Sequence, residues 1–233
     1  MLKIFKMSSS RKGLRAGVVV LLLAILMIAV SAAVAAGPDQ TGSTRISEEK
    51  IEVLRQLWGQ DVSMGQVLEQ VFPQALEGKS KDQVERLYEI KMVWPDPEGD
   101  YPQSVKLRGT FKRDVVPLET LPYYYIDCKS YIDARQEPRI DFGSSNRTLL
   151  PHPWYRFPYM AVWSYLWYET GQLVWCAFAD GENVYEVCAE DWYYATREGY
   201  YRVTGLHYVE LPPGNNPPSQ TTSTATRWVH VGS

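Results

Sequence analysis

Three histidines, His152, His207 and His230, and three cysteines, Cys128, Cys176 and Cys188, are the residues most able to hold a metal or act as nucleophiles. The histidines lie far apart and none sits in a ligand spacing such as H-x-x-x-H, so no metal site is expected. His207 stands in a run of aromatic and apolar residues, which points to a hydrogen-bonded structural role. No serine occupies a G-x-S-x-G elbow, and Cys128 carries no nucleophile signature. Asp141-Phe142-Gly143 matches a kinase triplet in letters alone, because the other kinase motifs are missing. Two carboxylates at glycosidase separation can come from any pair of strands, and Glu186, Glu190 and Asp191 are the candidates for a wall-directed hydrolase. Asp180-Gly181-Glu182-Asn183 lacks the alternating oxygen ligands of a calcium loop. On these grounds no catalytic residue, cofactor or metal is assigned.

Binding is better supported. The chain has 16 Tyr and 8 Trp, crowded mostly beyond residue 120. If Trp154, Tyr155, Trp163, Tyr165, Trp167, Trp175, Tyr193 and Tyr194 partly face solvent, they form a platform of rigid rings suited to sugars or to another protein. If they face inward they are core. The basic residues Lys106, Arg108, Lys112 and Arg113 read as a solvated strand face.

The N-terminal residues 1–36 carry Lys3, Lys6, Arg11, Lys12 and Arg15, then an uncharged stretch from Ala16 to Ala36 with Ala33-Val34-Ala35 as a small-x-small site. This reads as a cleaved signal peptide. The same stretch is long enough for an N-terminal membrane anchor, and a pilin-type leader cut after Gly13 is the third reading, against which stands the missing acidic residue of a pilin helix. All three readings place the remainder outside the cytoplasmic membrane. Those five cations are part of 24, which leaves 19 against 27 acidic residues and a net of about −8. That balance excludes a nucleic-acid partner, which needs a basic footprint. An oxidising compartment predicts one disulfide, and Cys176 with Cys188 is the expected pair, placed opposite each other by a turn at Gly181–Asn183.

Residues 44–93 predict three short helices. Ser47, Ser63 and Ser80 are the N-caps, with Gln66 and Gln83 completing capping boxes for the last two. So small a unit needs a second surface to pack on. Residues 94–103 hold three prolines and a glycine and read as a linker or a fixed series of turns. From 104 to 233 the pattern is of strands: Ser104–Phe111, Tyr123–Ile132, Tyr159–Tyr168, Leu173–Phe178, Val184–Ala189, Trp192–Thr196, Glu198–Val209 and Arg227–Val231. Tyr159–Tyr168 is apolar on both alternating faces, the mark of a central strand covered on both sides or of one touching a partner. Ala134–Pro158 reads as a long connection containing the glycosylation triplet Asn146-Arg147-Thr148, and Gly214–Thr226 as a loop with no core residues.

Gly199-Tyr200-Tyr201 opens the penultimate strand, and its Gly-x-Tyr resembles the tyrosine corner of immunoglobulin-like sandwiches. The resemblance implies a mainly β, antiparallel immunoglobulin-like sandwich behind the small helical region, with Tyr201 bonded back to nearby backbone. Val203 stands where that family has its second core cysteine. The expected function is an exported, non-enzymatic surface protein with a structural, assembly or adhesion role, acting through a protein partner or self-association; a carbohydrate-binding module with a polysaccharide ligand is the alternative.

Overall fold

The computed structural model describes residues 46–110, 123–150 and 152–232. The leader 1–36, on which the reading of export rests, lies outside the described residues, as do Lys112 and Arg113.

Among the described residues three helices come first: α1 (Glu48–Leu57), α2 (Met64–Val71) and α3 (Lys81–Glu89), with a 3-10 turn over Pro73–Leu76. Both capping boxes form. Ser63 N donates to Gln66 Oε1 at 2.8 Å while Gln66 N donates to Ser63 Oγ at 3.2 Å, and Ser80 and Gln83 repeat the exchange. Ser47 takes the extended N-cap conformation without a side-chain cap bond, and Glu48 and Glu49 favour the positive first turn instead. Ile51, Leu54, Val67, Leu68 and Val71 turn inward at helical spacing and are buried.

Nine strands follow among the described residues: β1 (Ser104–Thr110), β2 (Tyr123–Gln136), β3 (Arg139–Leu150), β4 (Phe157–Tyr168), β5 (Leu173–Val184), β6 (Glu186–Tyr194), β7 (Gly199–Glu210), β8 (Ser219–Ala225) and β9 (Val229–Val231). They form two antiparallel sheets. One has the order β1-β2-β3-β6 and the other β5-β4-β7-β8, with β9 also on β7. The molecule is mainly β, with the helices forming a third layer.

The two-faced apolar run of β4 follows from that layering. Met160, Val162 and Leu166 point at the four-stranded sheet and join a core with Ile126, Phe142 and Val203. Ala161, Trp163, Tyr165 and Trp167 point the other way, into a second core with Ile51, Leu54 and Phe72 of the helical region. Burying both faces of one strand is what a central strand between two layers requires. Polar bonds fix the helices to the sheet. Arg55 donates from Nε and Nη2 to the Leu173 carbonyl at 2.8 and 2.6 Å, and Arg86 meets Glu210 at 3.2 Å. Lys79 meets Asp180 at 2.7 Å, and Asp180 also accepts from the Tyr159 hydroxyl at 2.8 Å. The Pro-rich segment is fixed as well. Arg202, 8% exposed, donates to the carbonyls of Pro97, Gly99 and Thr226 and lies against the Trp228 ring.

Four expectations are corrected. The supposed connection Ala134–Pro158 contains β3, and the supposed loop Gly214–Thr226 contains β8; both are paired along their lengths. Asp180–Asn183 is not a hairpin turn. Only Asn183 has positive φ, at 51°, whereas the tight hairpin turn of that sequence type needs two such residues, and the chain crosses from one sheet to the other after Val184. That crossing abolishes the expected disulfide. Cys176 lies opposite Tyr165 in one sheet and Cys188 opposite Ser145 in the other, and all three cysteines are free thiols.

Candidate functional site

The rings singled out from the sequence do not form one surface. Trp163, Tyr165 and Trp167 are buried beneath the helices, with Trp58 edge-on to Tyr165 and Trp167 at 4.9 and 4.8 Å. Trp175 is half-buried and spans the two sheets, its indole N–H donating to Asp191 Oδ2 at 2.9 Å. Trp154 is 70% exposed and Tyr155 half-buried, both on the β3–β4 connection. Tyr201 is buried, and its hydroxyl donates to the Arg197 carbonyl at 2.8 Å. Gly199 has φ 146°, and a Cβ there would stand 2.6 Å from the Tyr168 hydroxyl, so the strand can begin only with glycine.

A different aromatic surface lies on the outer face of the four-stranded sheet, which no element among the described residues covers. Strand periodicity turns Ile126, Phe142 and Val187 inward and sends their odd- or even-numbered neighbours out. Register then builds cross-strand rows on the outer face. Tyr131, Gly143 and Glu190 form one row; Asp141 and Trp192 form the next; Arg139 and Tyr194 complete the end. A Cβ on Gly143 would sit 2.6 Å from Tyr131 Cε1 and 2.9 Å from Glu190 Cγ. Glycine there lets the Tyr131 ring lie across β3 and donate its hydroxyl to Glu190; burial and that carboxylate push the phenol well above its usual range. Arg139 grips Asp141 through Nε at 2.9 Å and Nη2 at 2.5 Å, and its guanidinium lies 5.3 Å from the Trp192 ring centre. Trp192 and Tyr194 meet edge to face at 4.9 Å. Tyr194 is 53% exposed and Tyr131 37%. Tyr131 also opens onto a cleft of about 590 Å³ whose walls include Asp133, Glu137 and His230.

At the other end of this face Lys106, Asp127, Arg147 and Glu186 stand directly opposite one another across four strands, alternating in sign. Cross-strand pairs of opposite charge are favourable and cancel each other's field at a distance.

Between the sheets lies a polar cluster that sequence reasoning did not foresee. His207, fully buried, bonds Asn146 Oδ1 through Nδ1 at 2.6 Å and Thr224 Oγ1 through Nε2 at 2.7 Å. Thr224 continues to Ser130 at 2.6 Å and Ser130 to Ser144 at 2.8 Å. The Asn146 amide donates to the carbonyls of Ala161 and Tyr208, which leaves its oxygen facing the ring. Neutral His207 therefore carries its proton on Nδ1, and the Thr224 hydroxyl donates to Nε2. Burial holds the imidazole pKa down at about 3. A Cβ on Gly205 would come within 2.5 Å of Ser130 Oγ and 2.7 Å of His207 Nε2, so glycine makes the room. The residue types resemble a catalytic relay, but with His207, Asn146, Thr224, Ser130 and Ser144 each at most 1% exposed it ties the sheets together. Asn146 in this position is no glycosylation acceptor in the folded chain.

The hydrolase candidates diverge. Asp191 bonds Trp175 at the sheet boundary, while Glu186 and Glu190 share the outer face four residues apart, about 13 Å along a strand and beyond glycosidase separations. Among the described residues no group of three or more His, Cys, Asp or Glu is placed to hold a metal. No protein-family model, curated protein or solved structure matches this chain.

Proposed function

We propose that this is an exported, non-catalytic surface protein that works by binding, with the outer face of its four-stranded sheet as the contact surface and a structural, assembly or adhesion role. The observation that carries the reading is an asymmetry between the sheets. The β5-β4-β7-β8 sheet is covered on one side by helices and on the other by its partner sheet, whereas the β1-β2-β3-β6 sheet presents a face with Tyr131, Trp192 and Tyr194 pinned by Gly143, Arg139 and Glu190. Rings held in place before contact lose little freedom on binding, which raises affinity. An immunoglobulin-like assignment is supported by the Tyr201 bond to Arg197 and by the crossing order of β3-β6 over β4-β7. The positively charged leader followed by an uncharged stretch supports export.

The test is co-sedimentation of the purified chain with the envelope fraction of the producing cells. Replacing Trp192 and Tyr194 together by Ala is expected to weaken retention at least tenfold while leaving the unfolding midpoint close to wild type. Equal retention of the variant would remove this face from the account.

A further inference from the structure

The chemistry of the open face says what it takes. Three properties coincide there: rings with exposed apolar surface, donors and acceptors fixed at their edges, and charges of both signs interleaved. A protein partner of ordinary composition would press an apolar, charge-depleted patch against it, yet here the part-exposed Arg139–Asp141 ion pair stands directly beside Trp192 and Tyr194. A polyanion would meet carboxylates set among the cations, since Lys106, Asp127, Arg147 and Glu186 alternate along one row and Lys129 is paired with Asp127. A lipid surface would demand a contiguous apolar patch without buried ion pairs.

A neutral sugar chain satisfies all three. The C–H face of a pyranose stacks on an aromatic ring, and its hydroxyls need donors and acceptors at the ring's rim. The guanidinium N–H groups that Arg139 does not spend on Asp141, and the carboxylates of Asp141 and Glu190, supply both, at a geometry fixed by the Arg139–Asp141 bonds. The cleft of about 590 Å³ beside Tyr131, between the last residues of β2 and β9, adjoins this face at its edge and gives room for a further sugar unit. We infer that the Tyr131–Trp192–Tyr194 face is a binding site for a neutral polysaccharide, with Trp192 and Tyr194 as stacking rings and Arg139, Asp141 and Glu190 as hydroxyl partners. This inference rests on the reading of the open face as the contact surface.

The experiment titrates the purified full chain with soluble hexasaccharides of glucose, xylose and N-acetylglucosamine, followed by tryptophan emission, and sediments it with the matching insoluble polymers. At least one neutral glycan is expected to bind, with affinity reduced tenfold or more in Trp192→Ala and in Gly143→Ala, which displaces the Tyr131 ring, and unchanged in Trp154→Ala. Addition of 0.5 M salt is expected to alter affinity by less than threefold. Binding to none of the glycans, or binding indifferent to Trp192, overturns the inference. If the same variants still lose envelope retention, and protease treatment of the envelope abolishes retention of the wild type, the face binds protein and the polysaccharide inference alone fails.

Discussion

Acidification should weaken this protein through His207, and the size of the effect follows from its surroundings. The ring is fully buried among Asn146, Thr224, Ser130 and Ser144, all neutral groups, and burial holds its pKa at about 3 against an ordinary 6.5. The folded pKa is depressed, so below pH 6.5 the unfolded chain takes up a proton that the folded chain refuses. Stability is therefore complete above pH 6.5 and falls as pH drops from 6.5 toward 3, by about 1.4 kcal/mol per pH unit. Over the whole window the loss is about 5 kcal/mol, comparable with the entire stability of many domains. Urea unfolding of wild type and His207→Gln at pH 7, 6, 5 and 4 isolates this effect, because carboxylate titrations common to both cancel. The wild type should lose about 2 to 3 kcal/mol more than the variant between pH 6 and pH 4. Parallel pH profiles would refute the reasoning and place a charged or solvated imidazole in the interior.

Two tyrosines should respond to phenylalanine with opposite signs. Tyr201→Phe removes the bond to Arg197 and is expected to cost about 1 to 2 kcal/mol, while Tyr165→Phe removes a buried hydroxyl that has no partner and should be neutral or stabilising by about 1 kcal/mol, both measured by urea midpoints. Asp180→Asn strands Lys79, whose side chain is 16% exposed, and should lower stability by about 3 kcal/mol with the helical layer loosening first in amide exchange. Mass spectrometry without reduction should find three thiols. Native alkylation should reach only Cys188, slowly because burial and Glu186 push its thiol up to about 12, while Cys128 and Cys176 should need denaturant.

The capping serines, the two-faced run of β4 and the Gly-x-Tyr of β7 were legible because each rests on local chemistry. Helix caps need only Ser and Gln three apart, and a strand buried on both sides needs only consecutive apolar residues. The two missed strands share one cause. On β3 the inward positions after Phe142 are Ser144, Asn146 and Thr148, and on β8 the buried pair is Thr224 and Ala225. Apolar alternation fails where a core is polar, and Ser144, Asn146 and Thr224 among these residues belong to the His207 cluster. His207 itself stood out as a hydrogen-bonded residue, but its partners come from strands that periodicity had erased. The site was legible only in part for a related reason. Tyr194 drew notice as one aromatic among many, whereas Tyr131 and Trp192 gain meaning from Gly143 and Arg139, which only the pairing of β2, β3 and β6 brings alongside. The disulfide expectation failed on topology, since a turn sequence does not reveal whether the next strand stays in its sheet.

Tyrosine nitration of the free and the envelope-bound chain, read by mass spectrometry, tests the central claim most directly, because the exposed tyrosines lie on different surfaces. Tyr194 belongs to the open sheet face, Tyr88 to α3 and Tyr200 to β7. The open-face account predicts that binding protects Tyr194 while Tyr88 and Tyr200 react as in the free protein. Protection of Tyr88 or Tyr200 with Tyr194 still reactive would contradict it and move the contact surface off the open face.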